Sequence, residues 1–133
     1  MAVDILLVDA DEGFRNFLEE RLRLGFERRP FNGDFNFVHA TGYVDFLQRV
    51  NSGNGSLKDV SLAVVSDFES LKLANDNRIP PILFYSELKL VQLLKMEASR
   101  GAVGYFGRNN YFDDIHFTDL ALEILQNGSN PVS

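Results

Sequence analysis

The sequence predicts a doubly wound α/β domain, an open parallel sheet of five strands with helices on both faces. Three observations predict it. Short apolar runs alternate with helical patterns five times along the 133 residues. The runs are continuously apolar rather than alternating, which suits strands covered on both faces. Four of them end in a polar residue: Ile5-Leu6-Leu7-Val8 in Asp9, Leu62-Ala63-Val64-Val65 in Ser66-Asp67, Ile82-Leu83-Phe84-Tyr85 in Ser86, and Ala102-Val103-Gly104-Tyr105-Phe106, through Gly107, in Arg108. Ligand chemistry in such sheets gathers at the carboxyl ends of the strands. Two carboxylates, a hydroxyl and a cation are therefore expected at one rim, a set suited to a phosphoryl group and a divalent cation.

Taken in order, the first run is β1. Phe14, Phe17, Leu18 and Leu22 then recur at helical spacing, with Glu19, Glu20, Arg21 and Arg23 between them. Asp9 and Glu12 have capping-box spacing, and Asp11 is an alternative cap. A polar stretch with Gly25, Pro30 and Gly33 separates this helix from a second strand over Phe35 to Ala40. Thr41 or Gly42 opens a short helix carrying Val44, Leu47 and Val50, and residues 51–56 form a loop. Only residues 68–78 lie between Asp67 and Ile79-Pro80-Pro81, room for a shortened third helix over about 69–74. Pro80 and Pro81 suit a strand entry. Helices over 88–100 and 113–126 complete the pattern, with Gly128 after the last.

The length fits one domain over 1–127, with 128–133 as a tail or the start of a linker. A hydrophobic fraction of 45% and twelve phenylalanines exclude a disordered chain. There is no cysteine, no apolar stretch of membrane-spanning length and no signal-type N-terminus, so a cytoplasmic location is expected. A net charge of −6 argues against nucleic-acid backbone binding. No P-loop, dinucleotide fingerprint or glycine-flanked serine elbow is present. His39 and His116 lack partners at metal-site spacing and read as core or surface residues.

These residues together resemble a response-regulator receiver domain over nearly the whole chain. The resemblance implies a flavodoxin-like sheet and a two-component signalling role. It places the phosphoacceptor at Asp67 within Val64-Val65-Ser66-Asp67, and the switch hydroxyl at Ser86 after Pro81-Ile82-Leu83-Phe84-Tyr85. Gly101-Ala102-Val103-Gly104-Tyr105 puts the switch aromatic at Tyr105 and gives Arg108 the position of a lysine. Magnesium would be held by Asp9 and Asp67, with Glu69 two residues beyond.

The departures from that pattern shape the functional expectation. Ala10 stands where a second acidic ligand is usual, with Asp11 displaced by one residue. Arg108-Asn109 replaces lysine-proline, and Phe68-Glu69-Ser70 replaces the usual turn after the phosphoacceptor. Loss of a carboxylate weakens magnesium, which is typically held by one or two carboxylates. Asp9 as a plain helix cap, and Arg108 in a standing ion pair with Asp67, are the readings without phosphate chemistry.

The expected function is an atypical receiver acting through protein–protein interaction, with Mg-dependent phosphorylation weakened or lost. Beyond self-phosphorylation it is expected not to be an enzyme. The alternative is a working receiver that accepts a phosphoryl group on Asp67 from a histidine kinase; a flavodoxin-like small-ligand binder ranks third. The expected partners are a histidine kinase or an effector domain. A homodimer is expected to use helix 88–100, the fifth strand and helix 113–126, setting Lys89, Lys95 and Arg100 against Asp113, Asp114, Asp119 and Glu123. The shortened third helix is expected to leave a thinly covered sheet face, against which Arg28 to Phe35, carrying Pro30, Phe31 and Phe35, or else a partner, would pack.

Overall fold

The computed structural model describes residues 2–29, 34–52, 57, 59–85, 104–107 and 114–128. Its elements are β1 (Ala2–Val8), α1 (Glu12–Arg28), β2 (Asp34–Ala40), α2 (Tyr43–Asn51), β3 (Val60–Val65), α3 (Phe68–Asp76), β4 (Pro81–Tyr85), β5 (Gly104–Gly107) and α4 (Asp114–Gly128). The strands form one parallel sheet in the order β2-β1-β3-β4-β5. The expected doubly wound fold is present.

Side chains on successive strand residues point to opposite faces, so the apolar runs of β1, β3 and β4 each feed two cores. Ile5 and Leu7 of β1, Leu62 and Val64 of β3, and Ile82 and Phe84 of β4 meet Leu18, Leu22 and Phe26 of α1 and Phe117, Ala121, Leu122 and Leu125 of α4. Leu6, Val8, Ala63, Val65 and Leu83 face the other way, against Phe46 of α2 and Leu71 and Ala74 of α3. Each large side chain removed from water stabilises the fold by about 1.5–3 kcal/mol. Edge-to-face rings extend the first core from Phe14 through Phe84 to Phe117, with centroids 5.3 and 5.2 Å apart.

Three details differ from the sequence reading. Helix α1 continues through Gly25, which is buried against Thr118 of α4; the missing side chain there allows a close helix crossing instead of ending the helix. Helix α3 spans nine residues, somewhat more than expected. It ends with Arg78 at φ 60, a left-handed residue that closes the last turn and is followed by Ile79 N–H donating to the Ala74 carbonyl at 2.9 Å. Phe35 does not cover α3. It packs edge-to-face on Phe26 at 4.9 Å, on the α1 face, because its position in β2 directs it there. Phe68, Leu73, Leu57 and Val60 cover the α3 side instead. Pro30, Phe31, helix 88–100 and the residues 108–113 lie outside the described residues.

Candidate functional site

The strand order reverses between β1 and β3, and a crevice at their carboxyl ends is where such sheets place ligands. Val8 pairs with Val65 in register, which sets Asp9 beside Ser66 on the next residues. Asp9 is 6% exposed. Its amide continues the ladder to the Ala40 carbonyl at 3.1 Å. Its Oδ1 accepts from the Asp11 amide at 2.7 Å, and its Oδ2 accepts from the Ser66 hydroxyl. Asp11, not Asp9, caps α1, accepting from the Phe14 amide at 3.2 Å. Asp9 therefore braces the turn between β1 and α1 and ties it to β3.

Asp67 caps α3. Its Oδ1 accepts from the Ser70 amide at 2.6 Å and its Oδ2 from the Ser70 hydroxyl at 3.1 Å. Ser70 is fully buried, so both partners are fixed. Helix α3 starts at Phe68, immediately after Asp67, and the positive end of its dipole favours the carboxylate. Glu69 sits exposed in the first turn of α3, and Ala10 is exposed in the β1–α1 turn. A magnesium ion is held through one or two carboxylates in near-octahedral geometry. Here both oxygens of Asp9 and both of Asp67 accept protein hydrogen bonds, and Ala10 offers a methyl group. Among the described residues no group of three or more acidic or histidine side chains is placed to hold a metal. Asp9 and Asp67 would be the residues to hold a magnesium ion, each oxygen keeping a second lone pair beside its hydrogen bond.

Ser86 and Arg108 lie outside the described residues, and so does the expected Arg108–Asp67 pair. Tyr105 lies in β5 opposite Leu83 of β4, one strand away from β3.

Sequence reasoning missed a polar chain leading to the rim. Arg15 is 6% exposed. Its Nη1 donates to the Asp9 carbonyl at 2.5 Å and its Nε to His39 Nδ1 at 3.1 Å. His39 Nε2 meets Glu19 Oε1 at 2.8 Å, and Glu19 also pairs with Arg23 at 3.1 Å. Partial burial alone would raise the Glu19 carboxyl. The hydrogen bonds from His39 and Arg23, with the charge interactions of Arg23 and His39, outweigh that and hold it below its ordinary value. From α2, Arg49 donates to the His39 carbonyl at 3.1 Å. A signal was present in the sequence: Arg15, Leu18, Leu22 and Phe26 share one helical stripe, so a cation occupies a core position. Ser66 and Ser70 carried no such signal, because short hydroxyl residues at strand ends and helix starts are ordinary.

No protein-family model and no curated protein matches the chain by sequence. Solved structures do match in fold. A response regulator receiver domain protein (CheY-like) from Methanospirillum hungatei JF-1 superposes with a TM-score of 0.70 at 17% identity, over 97% of this chain and 98% of that one. The signal receiver domain of an HD domain-containing protein from Pseudomonas fluorescens Pf-5 gives 0.70 at 18% identity, over 98% and 100%. A response regulator receiver domain protein from Clostridium thermocellum gives 0.69 at 12%, over 96% and 97%. The fold is that of response-regulator receiver domains. No helix among the described residues is long and apolar enough to cross a membrane.

Proposed function

We propose that this chain is a receiver-fold signalling module that works mainly through protein–protein contacts, with Mg-dependent phosphorylation of Asp67 weakened or lost. One observation supports the reading: the rim carboxylates are already engaged in internal hydrogen bonds, Asp9 with Ser66 and the Asp11 amide, Asp67 with Ser70. A phosphoacceptor attacks phosphorus through a carboxylate oxygen lone pair, and a metal bound by further carboxylate oxygens neutralises the incoming charge. In this arrangement each of these oxygens already accepts one hydrogen bond, which lowers its electron density toward a metal or phosphorus. Ala10 removes one more metal ligand. The same hydrogen bonds hold the β1–α1 turn and the start of α3 in one arrangement without a ligand, as a constitutive recognition surface requires. The partner is a signalling protein, a histidine kinase or an effector domain, and the setting is cytoplasmic.

Incubation with acetyl phosphate and magnesium, followed by intact-mass measurement, tests this. Little or no phosphoryl adduct is expected. A stoichiometric adduct that disappears in Asp67→Asn would establish the alternative, a receiver that accepts phosphoryl groups on Asp67.

A further inference from the structure

We propose that His39 is a positioning residue for the rim: its ring holds Arg15, Arg15 holds the backbone of Asp9, and proton uptake by the ring releases the β1–α1 turn. This goes beyond the preceding reading and holds whether or not Asp67 accepts a phosphoryl group.

The atoms fix the direction of each bond. A guanidinium donates and never accepts. The Arg15 Nε contact at 3.1 Å therefore requires a lone pair on His39 Nδ1, which leaves the ring proton on Nε2, donated to Glu19 Oε1 at 2.8 Å. The chain is thus ordered from carboxylate to neutral imidazole to guanidinium to the Asp9 carbonyl. Among the described residues no carboxylate lies within ion-pair distance of Arg15, so this buried cation is held by two neutral acceptors. The His39 side chain is 28% exposed, so solvent protons reach it.

The charges around the ring come from two helices. Helix α1 presents Arg15 and Glu19, with Arg23 on the far side of Glu19. Helix α2 presents Arg49 on the His39 carbonyl, itself paired with Asp45 at 3.2 Å. From β1, the residue in register is Leu7, which is apolar. A proton on Nδ1 turns the Arg15 contact into donor against donor and cation against cation, while the Glu19 contact strengthens. The His39 backbone is fixed in the sheet and Glu19 gains from the new charge, so Arg15 is the group that moves. Its Nη1 then leaves the Asp9 carbonyl, the outer fastening of the turn whose inner fastenings are the Asp11 amide and the Ser66 hydroxyl. The rim becomes responsive to acidity through a residue of β2.

Nuclear magnetic resonance of the whole chain from about pH 8 to about pH 5, the range in which imidazoles titrate, tests this. The His39 ring carbons, the Arg15 Nε–H and the Asp11 amide should shift with one common midpoint. In His39→Gln, which cannot titrate, and in His39→Phe, which keeps only the ring shape, the Asp11 step should be lost. An Asp11 amide that stays still while the His39 ring titrates overturns the proposal. So does the same Asp11 step surviving in either variant, since the carboxylates of Asp9 or Asp11 would then be its source. The native protein alone decides the first point if a variant fails to fold. A phosphoryl adduct at Asp67, the outcome that defeats the preceding reading, leaves this result unaffected.

Discussion

Replacing Asp67 with alanine is expected to destabilise the fold, because its carboxylate caps α3. Removing an N-cap side chain costs about 1 kcal/mol. The Ser70 hydroxyl, in a residue with no exposed surface, would also lose its acceptor, and a buried donor without a partner costs about 1–3 kcal/mol. Together the loss is on the order of 2–4 kcal/mol, against about 5–15 kcal/mol for a whole domain. A carboxylate retained only for chemistry predicts the opposite sign, since removing one of several clustered negative charges relieves repulsion. Urea unfolding followed by far-ultraviolet circular dichroism separates the two. With a slope of about 1–3 kcal/mol per molar, the midpoint should fall by roughly 1 M or more. Asp67→Asn should remain near native stability, because asparagine caps helices about as well. Ser70→Ala should cost about 1 kcal/mol and should not add to Asp67→Ala, since both remove the same bond. An Asp67→Ala protein as stable as the native one, or more so, would refute the capping role.

Three further outcomes follow from the packing and the charges. A Cβ on Gly25 would lie 2.5 Å from the Thr118 Cβ, so Gly25→Ala should destabilise through overpacking, about 1–3 kcal/mol, despite a helix-propensity gain of about 1 kcal/mol. Thr118→Gly should recover part of the loss in a double-mutant cycle. Arg78→Gly should raise the urea midpoint, because φ 60 penalises any side chain and relief contributes up to about 1 kcal/mol. Glu19, held below its ordinary value of 4.5, contributes stability that is present above that value and lost as pH falls through its lower folded value. Glu19→Gln should therefore be less stable than the native chain at neutral pH, with the gap closing in acid below pH 4.5.

The sheet was legible in the sequence because strands buried on both faces must be apolar at every position, and the runs at Ile5, Leu62 and Ile82 have no other economical fold. The helix boundaries were less legible. Gly25 looked like an end because glycine is a poor helix former, and only the approach of Thr118 shows why it lies inside α1. Phe35 looked free to cover α3, but the register of β2 on β1 assigned it to the α1 face.

By itself the sequence determined the doubly wound class, the alternation of strands and helices along the chain, and the placing of Asp9 and Asp67 just beyond the ends of β1 and β3. Those follow from hydrophobic pattern and from the geometry of parallel strands, which are properties of local residue order. Tertiary structure alone decided which donors the rim carboxylates meet. Whether an aspartate is a ligand, a nucleophile or a brace depends on which donors lie within about 3 Å of its oxygens. The donors here are a serine 57 positions away for Asp9 and a serine buried by the packing of α3 for Asp67. The same holds for Arg15 and His39, 24 positions apart: a hydrogen bond is set by distance and direction in space, which spacing along the chain does not encode.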